Sequence, residues 1–257
     1  MSGLIAVDLG NTEAKFGLFE DRDLQRVLRL PTGHLRDVRT GADLLSRTPG
    51  LAQWLDATHA VALGSVVSWA GAKLSALLTG LGCQVQAITS LESFGLQIDY
   101  EHGEPGVDRT AACAAAYGES GGPLLVVGAG TALHTNVVNS EGVYLGGAIM
   151  PGLNLMTASL SSGTDQVRTV TPVQPRRAIG KSTPECVEIG IYYAWLGGAL
   201  TLVKRTLAEM EGEPHLWLTG GQSAFLEPHL AGSRIDPHLS LKGLAGAFLS
   251  SAAEGGA

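Results

Sequence analysis

The sequence predicts an α/β protein that consists of two similar halves. Residues 4–11 superpose on residues 124–131 without a gap, and each segment is a short apolar run that ends in a glycine-bearing turn. Helical patterns occur between and after these runs, at residues 74–81, 108–117 and 183–210. Strands mixed with helices in each half are typical of α/β proteins. We therefore expect an N-terminal half over residues 1–118 and a C-terminal half over residues 119–257.

Both halves begin with the same predicted order of elements: strand, loop, strand, turn, strand. A second apolar stretch follows each glycine turn, at Phe16 to Phe19 and at Thr135 to Val138. A late strand is predicted at residues 215–218. The helix at 183–210 is predicted to begin with Thr183 as N-cap and Pro184 at the first helical position, where a missing N–H has no cost.

Composition excludes several classes of protein. The 257 residues carry a formal net charge of −7 without a basic run, which argues against a nucleic-acid partner or an anionic membrane surface. Three scattered cysteines fit neither a disulfide framework nor a zinc site. The first residues carry no basic leader, and the apolar stretch at 191–203 is too short to span a bilayer. We expect a cytoplasmic protein without a membrane partner.

The first glycine turn is a candidate phosphate-binding loop. Asp8 ends the first strand, and Gly10, Asn11 and Thr12 follow it. Gly10 is expected to free the backbone to turn, Asn11 and Thr12 can donate hydrogen bonds to phosphate, and Lys15 adds a positive charge. Asp8 is suited to anchor a hydrated Mg²⁺ that also touches phosphate oxygens. The alternative is an ordinary turn with Asp, Gly and Asn at their usual positions.

The second glycine turn, Gly128 to Thr131, corresponds to the first one in the other half of the sequence. Two loops of this kind that face each other across a cleft would hold a nucleotide from both sides. The alternative is a coincidence between two β-hairpins. Gly220 and Gly221, directly after the late strand, are assigned to the same nucleotide site.

The segment Gly106-Val107-Asp108-Arg109 opens the helix at 108–117 and is a candidate catalytic segment. An acid beside a fixed cation suits a general base that orients a substrate hydroxyl, and the Arg109 guanidinium suits a carboxylate or phosphate. The alternative is a helix start with an acid in its first turn, which the helix dipole favours.

The order of short motifs along the chain resembles that of the type III pantothenate kinases. These motifs are DLGNT (8–12), Tyr100, GVDR (106–109), GTA (130–132), YLGGAIMPGLNL (144–155), IGKST (179–183), LTGG (218–221) and LSLKGL (239–244). The resemblance covers nearly the whole chain. It implies a cytosolic homodimer of the actin-like superfamily, with duplicated ribonuclease H-like halves and a central nucleotide cleft.

The resemblance also implies an activity and a set of roles. The reaction would be the ATP-dependent phosphorylation of pantothenate to 4′-phosphopantothenate, the first step of coenzyme A synthesis. Asp8 to Lys15, with Thr131, would bind the ATP phosphates with Mg²⁺, and Asp108 would accept the proton of the pantothenate hydroxyl. The pantothenate pocket would be lined by Tyr100, Gly106, Val107, Asp108, Arg109 and Thr183.

The second loop departs from the family pattern. The family usually has DFGTATT where this chain reads GAGTALH, so Gly128 stands at the position of an Asp that binds the activating K⁺ or NH₄⁺. His134 replaces a common Thr. The spacing from Tyr100 to GVDR is also one residue short, and His102-Gly103 replaces the usual Asn-Pro.

Two hypotheses follow from these departures. One is a working kinase whose cation dependence is altered, with a protonated His134, water or backbone carbonyls in the electrostatic role of the cation. The other is a degenerate paralogue that binds nucleotide or pantothenate and acts as a regulatory or partner protein. A different kinase or phosphatase of the superfamily is less favoured, because Tyr100 and GVDR indicate pantothenate.

Overall fold

The computed structural model describes residues 3–89, 91–165, 170 and 173–254. In this part of the chain the strands are β1 Leu4–Leu9, β2 Glu13–Glu20, β3 Asp23–Pro31, β4 Ala60–Ser65, β5 Gln84–Ala87, β6 Gln97–Ile98, β7 Leu124–Ala129, β8 Ala132–Val138, β9 Val143–Gly146, β10 Ile149–Pro151, β11 His215–Thr219 and β12 Arg234–Ile235. The helices are α1 Gly41–Arg47, α2 Leu51–Ala57, α3 Ser68–Gly80, α4 Val107–Ser120, α5 Leu153–Ser162, α6 Thr183–Glu209 and α7 Leu239–Glu254. Short 3₁₀ turns occupy Thr32–Arg36, Leu91–Phe94, Ser223–Phe225 and Glu227–His229.

The contacts divide the chain into two compact units. Unit 1 comprises Met1–Glu119, Gly142–Tyr144 and His238–Ala257, and unit 2 comprises Ser120–Glu141 and Leu145–Pro237. The first change of unit falls between Glu119 and Ser120, one residue after the boundary predicted between 118 and 119. The C-terminal segment differs from the prediction, because Leu241 and Leu244 of α7 are buried with Leu4 and Ala6 of β1. The last helix therefore belongs to the first unit.

Unit 1 contains a five-stranded sheet in the order β3-β2-β1-β4-β5. The strands β1, β2 and β3 pair antiparallel, whereas β4 and β5 extend the sheet in parallel. All six residues of β1 are buried, as expected of a central strand covered on both faces. Helices α1 to α3 pack with one core cluster and α7 with the other. This is the ribonuclease H-like order that the resemblance implies.

Unit 2 repeats the order of four of these strands, β2-β1-β4-β5. Its sheet runs β12-β11-β7-β8, with β10 paired to β8. The strands β7 and β8 are antiparallel, and β11 and β12 continue in parallel, as β4 and β5 do in unit 1. The predicted α/β class and the duplication of the halves are confirmed.

The predicted helix at 183–210 is α6, but its predicted N-cap is wrong by one residue. Ser182 is the N-cap, because its backbone is extended and its hydroxyl accepts a hydrogen bond from the Glu185 N–H at 3.4 Å, whereas Thr183 is already helical. In the part of the chain described, α6 is the one helix whose length and composition would allow it to cross a membrane. A core helix passes the same test, and Tyr192, Trp195 and Ala199 of α6 lie buried in the core of unit 2.

Candidate active site

Asp8 lies at the end of the buried strand β1 and is itself only 8% exposed. Its Oδ2 accepts a hydrogen bond from the Ser240 hydroxyl at 2.6 Å, and the Lys15 ammonium lies 3.9 Å from the same oxygen. Lys15 reaches it from β2, where it is the cross-strand partner of Asp8. Burial raises the pKa of Asp8, while Lys15 and Ser240 oppose this shift and the negative charge of Asp108 adds to it. A buried acid is thus kept beside a cation.

The turn after Asp8 exposes the side chains of Asn11 and Thr12. The Gly10 N–H donates to the Glu13 carbonyl at 3.0 Å, and the Thr32 hydroxyl donates to the Gly10 carbonyl at 2.7 Å. Gly10 does not have a positive φ, and a Cβ there would meet only the Glu13 oxygen, at 3.4 Å. The expectation that this turn needs glycine for its backbone conformation is therefore wrong. What the turn supplies is a fixed backbone with two exposed polar side chains.

Asp108 lies in the first turn of α4, where its Oδ1 accepts the Arg109 N–H at 2.9 Å. A Cβ on Gly106 would come within 2.7 Å of this oxygen, so glycine leaves the room that the carboxylate takes. Burial raises the pKa of Asp108, and the backbone N–H and charge of Arg109, together with Lys15, partly offset the shift. A raised pKa suits a general base, since the best catalytic pKa lies near the operating pH.

Arg109 is buried beside two tyrosines of unit 1. It contacts Tyr144 directly, and Tyr144 links it to Tyr100. Its Nη2 donates to the Tyr144 hydroxyl at 2.7 Å, and Tyr144 in turn packs against Tyr100 with ring centroids 6.2 Å apart. Burial raises the pKa of Tyr144. The guanidinium is thus fixed beside Asp108, and Tyr100, 40% exposed, forms the outer part of this cluster.

Sequence reasoning missed two members of this site, Tyr144 and Ser240. Both lie in segments that carry the family resemblance, YLGGAIMPGLNL and LSLKGL, but neither residue was given a role. The contact of Tyr144 with Arg109 and that of Ser240 with Asp8 join residues 35 and 232 positions apart. No local pattern signals such pairs.

In unit 2, the imidazole of His134 covers Gly128. These residues are cross-strand partners, and a Cβ at position 128 would lie 2.1 Å from the His134 Cε1 and 2.3 Å from its Nε2. The buried Asn136 amide nitrogen lies 2.7 Å from the His134 Nδ1 and 3.4 Å from the Val126 carbonyl. An amide NH₂ can only donate, so Nδ1 accepts and the ring proton is on Nε2. This contact does not suit a protonated His134, which is one of the three alternatives that the sequence leaves open beside water and backbone carbonyls.

The other predicted nucleotide residues of unit 2 surround the β7–β8 turn. The Thr131 carbonyl accepts the Gly152 N–H at 3.0 Å, and the Gly130 N–H donates to the Ala132 carbonyl at 3.0 Å. Gly220 has a φ of +89°, and a Cβ there would lie 2.4 Å from the Ala129 carbonyl oxygen. Glycine is therefore required at position 220, whereas a Cβ on Gly221 would enter open space.

Thr183, predicted to line the substrate pocket, is exposed at the start of α6. It lines a cavity of about 790 Å³ in unit 2 together with Lys181, Cys186 and Met156. Asp8, Lys15, Asp108, Arg109 and Tyr100 belong to unit 1, and Thr131, Gly220 and Thr183 belong to unit 2. That the two sets form one cleft stays a prediction.

The comparisons of this sequence with known protein families and with curated proteins agree on one family. The model of the type III pantothenate kinase family matches residues 4–205. The type III pantothenate kinase of Moorella thermoacetica is 34% identical over 234 residues, which are 88% of this chain and 91% of that protein. The enzyme of the same name from Parafrankia sp. is 32% identical over 243 residues, 88% of this chain and 93% of that protein.

Solved structures show the same fold at much lower identity. A protein described as a Baf family transcriptional activator from Campylobacter jejuni aligns with a TM-score of 0.62 and 19% identity, over 97% of this chain and 99% of that one. The ethanolamine utilization protein EutJ from Carboxydothermus hydrogenoformans aligns with a TM-score of 0.53 and 12% identity, over 94% and 88%. The fold is that of the actin-like ATPases.

Proposed function

This chain belongs to the type III pantothenate kinase family, and from that premise we propose that it transfers the γ-phosphoryl group of ATP to the primary hydroxyl of pantothenate. The observation that carries the proposal is the arrangement in unit 1, where Lys15 lies 3.9 Å from the buried carboxylate of Asp8 and its charge also lowers the pKa of the half-buried Asp108. Phosphoryl transfer depends on positioning and charge neutralisation more than on covalent help from the protein.

In the proposed reaction, Asp108 takes the proton of the pantothenate hydroxyl. The hydroxyl oxygen forms a bond to the γ-phosphorus, the bond from that phosphorus to the bridging oxygen breaks, and ADP leaves. The Arg109 guanidinium donates to the Tyr144 hydroxyl at 2.7 Å, so it is held before substrate enters, and its charge lowers the pKa of Asp108. Lys15, from the neighbouring strand, is placed to offset phosphate charge.

The residues at Asp8 fit a magnesium ion bound through water. Mg²⁺ keeps several waters and typically takes one or two carboxylates together with substrate phosphates. Asp8 supplies one buried carboxylate, and the described residues form no cluster of three acid, His or Cys side chains. When bound with ATP, the ion would neutralise charge on the β- and γ-phosphates.

The residues at position 128 do not fit a monovalent cation. Gly128 has no ligand atom in a side chain, and the His134 imidazole fills the space where such a side chain would begin. We therefore derive no step through K⁺ or NH₄⁺. The His134 ring occupies this space, and the proposed kinase works without the cation.

A coupled ADP-release assay tests the proposed function. With ATP, Mg²⁺ and pantothenate, the chain should release ADP only when pantothenate is present, and K⁺ or NH₄⁺ should give no saturable activation over Na⁺. Strong activation by either ion would contradict the conclusion that the residues at position 128 do not bind a monovalent cation. Absence of pantothenate-dependent release under all three ions, with ATP still bound, would instead favour the alternative, a regulatory protein that keeps only binding.

The pH dependence of the reaction should report on Asp108. A base acts in its ionised form, and burial raises the pKa of Asp108, so kcat/KM should fall as pH drops through a value above the ordinary aspartate pKa of about 3.9. Measuring kcat/KM for pantothenate as a function of pH would show this decrease on the acid side. A rate that stays constant down to the ordinary aspartate range would exclude Asp108 as the base.

The family resemblance supports two further proposals. The resemblance implies a cytoplasmic enzyme and a homodimer, without nucleic-acid or membrane partners. The apolar side chains Leu155, Leu160, Ile179 and Tyr193 of unit 2 are exposed in the single chain and suit contact with a second copy.

A further inference from the structure

The C-terminal helix α7 contacts the buried acid of the candidate active site. The Ser240 hydroxyl, in the first turn of α7, donates to the Asp8 Oδ2 at 2.6 Å. The Lys15 ammonium approaches the same oxygen, at 3.9 Å. Both contacts use Oδ2, they restrict the rotation of the carboxylate, and neither of them uses Oδ1.

Two close backbone approaches hold α7 in position. A Cβ on Gly243 would lie 1.9 Å from the Ala111 carbonyl oxygen of α4, the helix that also carries Asp108. A Cβ on Gly64 of β4 would lie 2.6 Å from a Leu244 methyl group. Such contacts leave no space for α7 to slide, so the position of Ser240 is set by the packing of the whole helix.

The amino end of α7 also favours a negative charge at the Asp8 carboxylate. The Lys242 N–H donates to the His238 carbonyl at 3.0 Å, so regular helical hydrogen bonding begins at the first turn. The amino end of a helix carries a partial positive charge, which stabilises a carboxylate near it. The Asp8 carboxylate thus has a hydroxyl donor from the first turn of a helix and the Lys15 ammonium near the same oxygen.

We propose that Ser240 is a positioning residue, whose hydroxyl holds Asp8 so that Oδ1 faces the hydrated Mg²⁺ of Mg·ATP. The inference rests on the proposed function for the identity of the metal–nucleotide ligand. A partner that orients a metal-binding carboxylate typically changes metal affinity or activity by 10- to 100-fold when it is removed. Nothing in the local sequence around Asp8 or Ser240 indicates this pair.

Ser240→Ala, in the full-length protein, tests the proposal by calorimetry. Its affinity for Mg·ATP should fall about tenfold, whereas its affinity for ATP in EDTA should equal that of the wild type, because only the metal-bound ligand uses the oriented carboxylate. In the kinase assay kcat should fall while KM for pantothenate stays unchanged. Ser240→Thr keeps a hydroxyl and should bind Mg·ATP like the wild type.

The matched control is Ser251→Ala on the same helix, whose hydroxyl contacts Gln86 and the Phe248 carbonyl instead. This variant should bind both forms of ATP normally. Equal losses for Mg·ATP and metal-free ATP in Ser240→Ala, or the same loss in Ser240→Thr, would overturn the positioning role. Because the binding measurement needs no turnover, a wild type that binds Mg·ATP but does not phosphorylate pantothenate would refute the proposed function and leave this test intact.

Discussion

Replacing Asp108 by Asn should lower kcat by about 10²- to 10⁴-fold, the usual contribution of a general base. An amide has nearly the shape of the carboxylate but cannot take a proton from the pantothenate hydroxyl. Its oxygen can still accept the Arg109 N–H, which is 2.9 Å from Oδ1 in the structure. The start of α4 should therefore keep its conformation, and the loss should be chemical.

Steady-state kinetics and equilibrium binding of ATP, measured on the same preparation, separate these effects. ATP affinity should survive in Asp108→Asn, since the phosphates are assigned to the Asp8 turn and to unit 2. Asp56→Asn, an exposed acid on α2 in the same unit, is the matched control and should have wild-type kcat. A turnover rate in Asp108→Asn close to that of the wild type would remove Asp108 from the base role.

The elements that carry Asp8 and Asp108 could be predicted because their signals are local. The apolar run of β1 ends at a polar turn, and the alanine-rich α4 begins with an acid in its first turn. The duplication was also visible, since β7 and its turn repeat the pattern of β1 at a constant offset. Periodicity and turn chemistry act over a few residues, and a single sequence contains both.

The partners of these residues could not be predicted in the same way. Ser240 reaches Asp8 only because α7 returns to the first unit, and Tyr144 reaches Arg109 only because the residues at 142–144 do so as well. Whether a late segment of the chain packs against the first unit depends on which apolar faces fit together. The residues next to that segment in the sequence do not predict this. The N-cap of α6 could not be predicted for a local reason. Ser182 and Thr183 are both residue types that cap helices well, and only the backbone conformation shows that Ser182 is the cap.

Gly128 and His134 show how two departures from a family pattern can be one structural change. Taken from the sequence, the loss of a carboxylate at 128 and the appearance of an imidazole at 134 are separate observations. In the structure the imidazole occupies the place of the missing side chain, and Asn136 holds it there at 2.7 Å. The imidazole at 134 would clash with a side chain at 128 such as the family usually has, whereas the glycine at 128 would accept the family's threonine at 134 without a clash.

Gly128→Asp alone should therefore destabilise the protein, by about 1–3 kcal/mol, as expected for overpacking and for a buried amide that loses one of its hydrogen-bond acceptors. A Cβ at 128 would lie 2.1 Å from the His134 ring, and moving the ring away would leave the buried Asn136 amide without its nitrogen acceptor. Thermal unfolding should show a lower Tm for this variant, by about 2–4 °C for each kcal/mol in a chain of this size.

The double variant Gly128→Asp with His134→Thr should recover the part of that stability that is lost to overpacking, because the smaller threonine leaves the space that the aspartate takes. With a carboxylate present and the ring absent, kinase activity should gain a saturable response to K⁺ that neither the wild type nor His134→Thr shows. The four proteins form a double-mutant cycle, and residues in contact typically couple by about 0.5–3 kcal/mol. Additive changes in the free energy of unfolding would mean that the ring and the glycine are independent. A double variant that is stable and still indifferent to K⁺ would show that the cation position has been lost through other residues as well.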